Sequence, residues 1–277
     1  MNVIQHVTGT AFIVAEYRAR ENEAEHPLYR DPVVPLFLDA ATRAAADAMS
    51  ANFPPGVDGV KLRTRYYDDH LDDALAGGAK QVVILGAGLD TRAVRKQKPG
   101  VRYFEIDDPA TLTFKQERLA KAGIEAPAVY IPANYVSDGL IRLLSDHGFD
   151  FAAPSFFIWE GNTMYLRKPM VLGVLDDLRS HVSSFSISFD YLSEAVIAYG
   201  TGEPIISTFV KRFADMGAPW HFGTDDIEAI AREAGMAVVD NTREAELHRR
   251  LWPAKPLAVA AWYENYSLCT LKPAIGI

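Results

Sequence analysis

Along the first third of the chain, apolar residues return at helical spacing. Val7, Ala11, Val14 and Ala15 predict one amphipathic helix, and Leu36, Phe37, Ala40, Ala44 and Met49 predict a second. Between them the stretch from Arg20 to Pro35 is polar and carries prolines, which predicts a link. The run Asn52-Phe53-Pro54-Pro55-Gly56 predicts a loop, and Thr64 to Leu75 an acidic helix that stops at Gly77-Gly78.

From Gln81 onward the period changes. Val82 to Leu85, Val101 to Ile106, Ala128 to Ile131, Ser155 to Trp159 and Phe185 to Phe189 are short β-branched or aromatic runs. They are too continuously apolar for one-sided sheets, and they alternate with helical stretches. Parallel strands buried on both faces and joined by crossover helices fit this pattern. One such helix follows Lys168-Pro169, with a stripe of Val171, Val174, Leu175, Leu178 and Val182. Another is expected after Thr224 as N-cap, with Asp225 and Asp226 at its positive end, Ile227, Ile230 and Ala234 inward, and Gly235 closing it. Strands at Ala237 to Val239 and Tyr263 to Leu271 complete an open α/β sheet. With no internal repeat and no flexible linker, the expectation is a single domain over 1–277: a helical cap or lid at 1–78 and a Rossmann-like core at 79–277, helices on both faces.

The stretch from Val82 to Arg92 joins a buried strand to the turn Gly86-Ala87-Gly88-Leu89-Asp90-Thr91. Ligands of open α/β sheets lie beyond the carboxyl ends of the strands, where glycine lets them approach the backbone. A dinucleotide fingerprint would have a third glycine where Thr91 stands. The plainer reading is a turn alone. The second strand, however, ends in Glu105-Ile106-Asp107-Asp108, about 20 residues past the first glycine, where an acid accepts hydrogen bonds from ribose hydroxyls. Asp107 is the first choice for that role and Glu105 the second, since alternation puts both on one face. A solvated strand end, or an N-cap before Pro109, is the alternative. Glu160, closing the strand Phe156-Phe157-Ile158-Trp159 ahead of Gly161, is a further carboxylate at the same edge. It reads as a general base, as a partner for an amino group, or more plainly as a helix cap.

These motifs, in this order and spacing, resemble the leucine carboxyl methyltransferase family, including its bacterial polyketide O-methyltransferase branch. The resemblance runs through Thr10-Ala11, Tyr17 to Arg20, Pro27 to Pro32, Arg63 to Asp69, Leu85 to Arg92, Phe104 to Asp107, Glu160-Gly161 and Met164 to Leu166. It implies a seven-stranded methyltransferase sheet, S-adenosyl-L-methionine as methyl donor, and an oxygen acceptor: a carboxylate first, a phenolic hydroxyl next. It implies that Arg63, with Arg65 as the alternative, pairs with the methionyl carboxylate. Gly86, Ala87, Gly88 and Asp90 would lie against the cofactor, Asp107 would hold its ribose, and Glu160 would stand near its amino end. Asn134-Tyr135 occupies the place of the family's usual Asp-Leu beside adenine.

A carboxylate acceptor is ionised at neutral pH and needs only positioning, whereas a phenol needs a base. Tyr191, just past the fifth strand, and His221 are the candidate bases, with an exposed or otherwise satisfied histidine as the plainer reading of His221. Trp220, Phe222, Trp252 and Trp262 would suit a flat apolar acceptor, though aromatics are more often core. The acceptor is expected to be a small molecule ahead of a protein C-terminus.

Composition narrows the partners. A formal charge of -8 without a Lys/Arg-rich stretch argues against nucleic acid. No apolar run reaches the ~18 residues that a membrane span needs. Asn2, Gln5 and His6 ahead of Ala11 to Ala15 lack the pattern of a signal peptide, so a cytoplasmic protein is expected. The one cysteine, Cys269, reads as a buried strand residue, and no zinc-type spacing occurs. Asp68, Asp69, His70, Asp72 and Asp73 read as a solvated helix face, so no metal is expected. Two other functions remain open at this point. An NAD-dependent oxidoreductase shares the glycine turn and the acid, and a non-catalytic ligand-binding protein shares the fold.

Overall fold

The computed structural model describes residues 3–125 and 127–274, with side chains from residue 9 onward. Val7, counted in the first expected stripe, has its side chain outside the described residues.

Strand β1 (Gln81–Leu85) is buried at all its positions. Such a strand needs apolar cover on both faces, and alternation supplies it: Val83 and Leu85 enter one core layer, Val82 and Ile84 the other. Strands β2 (Arg102–Asp107), β3 (Val129–Pro132), β4 (Ser155–Trp159) and β5 (Phe185–Leu192) run parallel to it, while β7 (Tyr266–Pro273) pairs antiparallel with both β5 and β6 (Met236–Arg243). The seven strands stand in the order β3-β2-β1-β4-β5-β7-β6. Chain order reverses about β1, with β2 on one side and β4 on the other. This switch point opens a crevice beyond the carboxyl ends of the central strands, the place where open α/β sheets take ligands.

Helices cover both faces. The N-terminal segment provides α1 (Val3–Ala19), α2 (Ala40–Asn52) and α3 (Pro55–Ala76). The crossovers are α4 (Arg92–Arg95), α5 (Pro109–Lys121), α6 (Leu140–Asp146) and α7 (Lys168–His181). Then come α8 (Glu194–Ile197), α9 (Pro204–Asp215) and α10 (Ile227–Glu233), with α11 (Glu244–Leu251) and α12 (Ala260–Glu264) between β6 and β7. One layer packs α6, α7 and α10 against Phe104, Phe157 and Ile187. The other packs α3, α9, α11 and α12 against Tyr103, Phe156 and Leu268. Cys269 is buried in β7 and unpaired. Among the described residues no helix is long and apolar enough to cross a membrane.

Several expected boundaries move, each for a local reason. Leu36 and Phe37 belong to a 3-10 turn (Val34–Phe37), because Asp39 starts α2 afresh through a capping box with Thr42. Residues expected in a loop open α3, since Pro55 sits in its first turn, where a missing N–H costs nothing. The cap of α10 is Asp226, bonded to the Ala229 amide; Thr224 bonds the Asp226 amide instead. Tyr263 lies in α12, and β6 runs well past Val239, bulging between Val238 and Asp240.

The acidic face of α3 is also not uniformly solvated. Asp68 is 3% exposed and receives Arg92 Nε at 2.8 Å and Arg95 NH1 at 2.8 Å, while Asp69 and Asp72 meet Arg65 and Lys96. Asp68 faces inward toward α4, whose arginines neutralise it. Among the described residues no group of acids, histidines or the cysteine is arranged to hold a metal ion.

Candidate active site

The crevice at the switch point is a cavity of about 400 Å³. Arg63, Gly86, Ala87, Gly88, Asp90, Asp107, Asn134, Tyr135 and Glu160 line it, so the fold gathers nine of the ten residues singled out for the cofactor. Glu105 is the exception. It lies below the rim of β2, fully buried, where Lys115 of α5 pairs with it. Burial pushes its carboxyl up to about 7 against the pull of that lysine.

The turn after β1 is open because its glycines have positive φ. At Gly86 φ is 64°, and a Cβ there would stand 2.3 Å from Oδ1 of Asn162. Asn162 donates to the Glu160 carbonyl at 2.6 Å and to the Leu85 and Gly86 carbonyls at 3.4 Å, linking the turn after β4 to the turn after β1. Gly88, at φ 49°, gives its amide to Asp107 Oδ2 at 2.6 Å, and the Asp108 amide takes Oδ1 at 2.6 Å. Burial pushes the Asp107 carboxyl up to about 6, although both amides favour its charged form. Asp108 caps α5 through the Ala110 and Thr111 amides, so the capping role falls to it and not to Asp107.

At the other end of the cavity Arg63 Nε donates to Glu160 Oε1 at 2.9 Å, and Arg63 NH1 to the Tyr266 hydroxyl at 3.1 Å. Its guanidinium lies on the bare α-carbon of Gly161, where a Cβ would come within 3.2 Å. Arg65, by contrast, turns away to Asp69 and the Leu28 carbonyl. Glu160 also accepts from Arg92 NH1 at 2.8 Å. Arg92 is buried among Asp68, Asp90 and Glu160. Burial alone would raise the Asp90 carboxyl, but Arg92, with Arg18 and Lys115 beyond, holds it at about 2. Over β3, Asn134 Oδ1 accepts from the Val136 amide at 3.0 Å, which leaves its NH₂ group for a ligand. Tyr135 turns its hydroxyl inward to accept from Trp159 Nε1 at 2.8 Å.

A second cavity of about 120 Å³ adjoins the first, and Thr10, Val14, Arg63, Gly161 and Tyr165 line both. Its walls are aromatic, with Phe53, Phe209, Phe213, Trp220 and Trp262 among them. Trp220 and Trp262 therefore stand where a flat molecule would lie. Phe222 belongs to the opposite core layer, and Trp252 lies outside the cavity lining, stacked under Lys255.

Neither candidate base reaches these cavities. Alternation along β5 sends Tyr191 into the far core layer, where it bonds Asn241 at 2.9 Å, while Asp190 takes the near face. His221 is exposed and engaged through its backbone amide with the Met164 carbonyl. The sequence reading missed Asn162, Asp190 and Glu244. Asp190 is fully buried and accepts from the hydroxyls of Tyr67 and Tyr266 and from the Gly161 amide. The alternation that puts Glu105 and Asp107 on one face of β2 puts Asp190 and Tyr191 on opposite faces of β5.

A sheet of this order, with a glycine turn and a terminal acid at its carboxyl edge, has the Rossmann-like fold of class I methyltransferases. Residues 11–179 match the leucine carboxyl methyltransferase family, and the chain belongs to it. A relative from Mycobacterium bovis (strain BCG / Pasteur 1173P2), provisionally named an S-adenosyl-L-methionine-dependent methyltransferase, is 37% identical over 201 residues, covering 66% of this chain and 67% of its own. A provisionally named methyltransferase from Thermobifida fusca shares the fold at a TM-score of 0.61, with 18% identity and 94% of each chain covered. Magnesium protoporphyrin IX methyltransferase from Synechocystis, solved with bound S-adenosylhomocysteine, does so at 0.51, with 9% identity and 89% and 91% covered. The protein is an S-adenosylmethionine-dependent methyltransferase.

Proposed function

We propose that the chain methylates an oxygen of a small, flat, apolar acceptor, a carboxylate or a phenolic hydroxyl of the kind found in polyketide-type metabolites. The observation that carries this reading is the meeting of two unlike cavities at Arg63, Gly161 and Tyr165: one polar and built on glycines, the other aromatic. The bound cofactor supplies an electrophilic methyl group on a sulfonium. The chain's task is to hold that carbon and the acceptor oxygen within near-attack distance and keep water out.

The residues fit that cofactor. Gly86 and Gly88 form a cradle that side chains would fill, and Asp107 keeps a lone pair on each oxygen for the ribose hydroxyls. Arg63 receives the methionyl carboxylate, Glu160 faces the amino group, and Asn134 with the Tyr135 backbone borders adenine. Segment 1–78 acts as the lid, since Thr10 and Val14 of α1 line both cavities.

Calorimetry with S-adenosylhomocysteine and NADH, followed by transfer of labelled methyl to acid and phenol libraries, tests the assignment. Binding of the thioether with no response to NADH is expected, with label appearing in ether or ester products. Label appearing only on nitrogen or carbon would overturn the oxygen acceptor.

A further inference from the structure

The aromatic cavity contains a group that none of these roles uses. Glu244, the first residue of α11, lines that cavity and is fully buried, yet neither carboxyl oxygen has a hydrogen-bond partner. It rests on the α-carbon of Gly59, where a Cβ would stand 2.9 Å from Oε1. Gly59 lies inside α3, a position where glycine is less favourable than alanine. What it provides is room for this carboxyl.

Two donors bordering the same cavity are also unsatisfied: the indole N–H groups of Trp220 and Trp262. A buried polar group left unpaired is destabilising. The Trp262 indole faces Glu244 and that of Trp220 faces Tyr165, but none of these atoms closes a hydrogen bond of good geometry, so an acid and two donors border one apolar space that a ligand can complete. Burial pushes the Glu244 carboxyl well above its ordinary value; Arg63 and the Trp262 indole N–H oppose this, while Asp190 and Asp58 add to it.

Resting on the methyltransferase reading, we infer that Glu244 binds the methyl acceptor by a hydroxyl on an aromatic ring and receives that hydroxyl's proton. A hydroxyl both donates and accepts, so one group meets Glu244 and an indole N–H together. A carboxylate only accepts. It would face ionised Glu244 with like charge, and Arg63, the cation among the described residues lining this cavity, is the group assigned to the methionyl carboxylate. Phe209, stacked on Phe53 at 3.9 Å and edge-on to Trp262 at 5.6 Å, gives the ring a flat wall. At about 120 Å³ the space is close to the ~150 Å³ cavity that admits benzene.

The step balances. Binding of the hydroxyl stabilises ionised Glu244, whose proton goes to solvent. An oxygen lone pair then forms the bond to the methyl carbon, the carbon–sulfur bond breaks with its electron pair left on sulfur, and the hydroxyl proton passes to Glu244. One proton leaves per turnover.

The test uses protein without methyl donor and three single-ring probes, 4-fluorophenol, 4-fluoroanisole and 4-fluorobenzoate, titrated by fluorine NMR. The phenol is expected to bind at least about tenfold more tightly than the other two, and Glu244→Leu to remove that preference. Glu244→Gln keeps the shape and still accepts a hydrogen bond, so it should bind the phenol but lose about a hundredfold or more in methyl transfer. Equal or tighter binding of the benzoate, no binding of any probe at millimolar concentration, a preference that survives Glu244→Leu, or full turnover by Glu244→Gln would each overturn the inference. Should Glu244→Leu fail to fold, the glutamine variant decides. Calorimetry with S-adenosylhomocysteine on the same samples separates the two readings: if that ligand binds while the phenol is not preferred, Glu244 loses its role and the methyltransferase stands.

Discussion

The amide of Gly88 donates to Oδ2 of Asp107 at 2.6 Å, tying the turn after β1 to the end of β2. With the Asp108 amide on Oδ1, the carboxylate is fixed in place and still has a lone pair free on each oxygen, a pair of acceptors matched to a ribose diol. Asp107→Asn removes the charge and replaces one of the two accepting oxygens with an NH₂ group, which cannot accept from a backbone amide. The expected loss in S-adenosylhomocysteine affinity is about 10- to 100-fold by calorimetry. The melting temperature should fall only modestly, because the lost backbone acceptor is partly offset by removing a carboxyl whose charged form burial disfavours. A variant that binds as well as the parent would remove Asp107 from the ribose site.

The same acid sets a pH dependence. Its folded value of about 6 lies above the ~3.9 of an unfolded aspartate, so the cost of ionising it in the fold is absent below about 4 and fully present above about 6. Cofactor binding runs the other way, since the ribose hydroxyls need the charged acceptor. Affinity should be flat from pH 8 to 7 and fall as pH drops through about 6, and the fall should be missing in Asp107→Asn. Titrations at pH 7.5, 6 and 5 on both proteins check this. An equal decline in both would assign the effect to another group.

Arg63 and Arg65 are two residues apart on one helix, and sequence alone left them as alternatives. They point apart, Arg63 into the cavity over Gly161 and Arg65 outward to Asp69. Arg63→Ala should therefore abolish measurable cofactor binding, because Glu160 loses one of its two cations as well as the ligand losing its own. Arg65→Ala removes a half-exposed pair worth about 0.3–0.5 kcal/mol and should leave binding unchanged within twofold. The reverse order in a thermal-shift titration would exchange the two assignments.

How far the sequence could be read follows from the range of each interaction. Strand identity was legible because burial on both faces leaves continuous apolar runs, as in β1 and β4, and the turn was legible because Gly86 needs a positive φ. The place of Asp107 on the cavity wall followed from its position at a strand end. Glu105 was misplaced because alternation gives the face of a strand and not the depth at which Lys115 meets it. Tyr191 was misplaced by the same alternation, which put its neighbour Asp190 on the near face. Glu244 was out of reach, since its surroundings come from Gly59 and Trp262, far from it in the chain or in another helix. Asp68 likewise met its arginines only when α4 folded against α3.

The buried pair of Glu105 and Lys115 separates stability from binding. Both side chains are almost wholly enclosed, at 0% and 2% exposure, and the Glu105 oxygen that Lys115 does not reach has no partner. Lys115→Met leaves a lone carboxylate in the core, which should destabilise the fold by about 3–5 kcal/mol near neutral pH. The sign of the pH effect follows from the folded value of about 7 against the ordinary 4.5: the protonated form is favoured in the fold, so stability falls as pH rises through that interval. Without the lysine the carboxyl is pushed higher still, and the variant can shed its unpaired charge by taking up a proton. Its deficit against the parent should therefore shrink between pH 8 and pH 5.5 in urea unfolding, and Glu105→Gln added to Lys115→Met should restore much of it at pH 8. S-adenosylhomocysteine affinity, measured well below the melting temperature, should change little in either variant because neither residue lines the cavity. A deficit that stays constant across that pH range would mean that Glu105 remains ionised without its lysine.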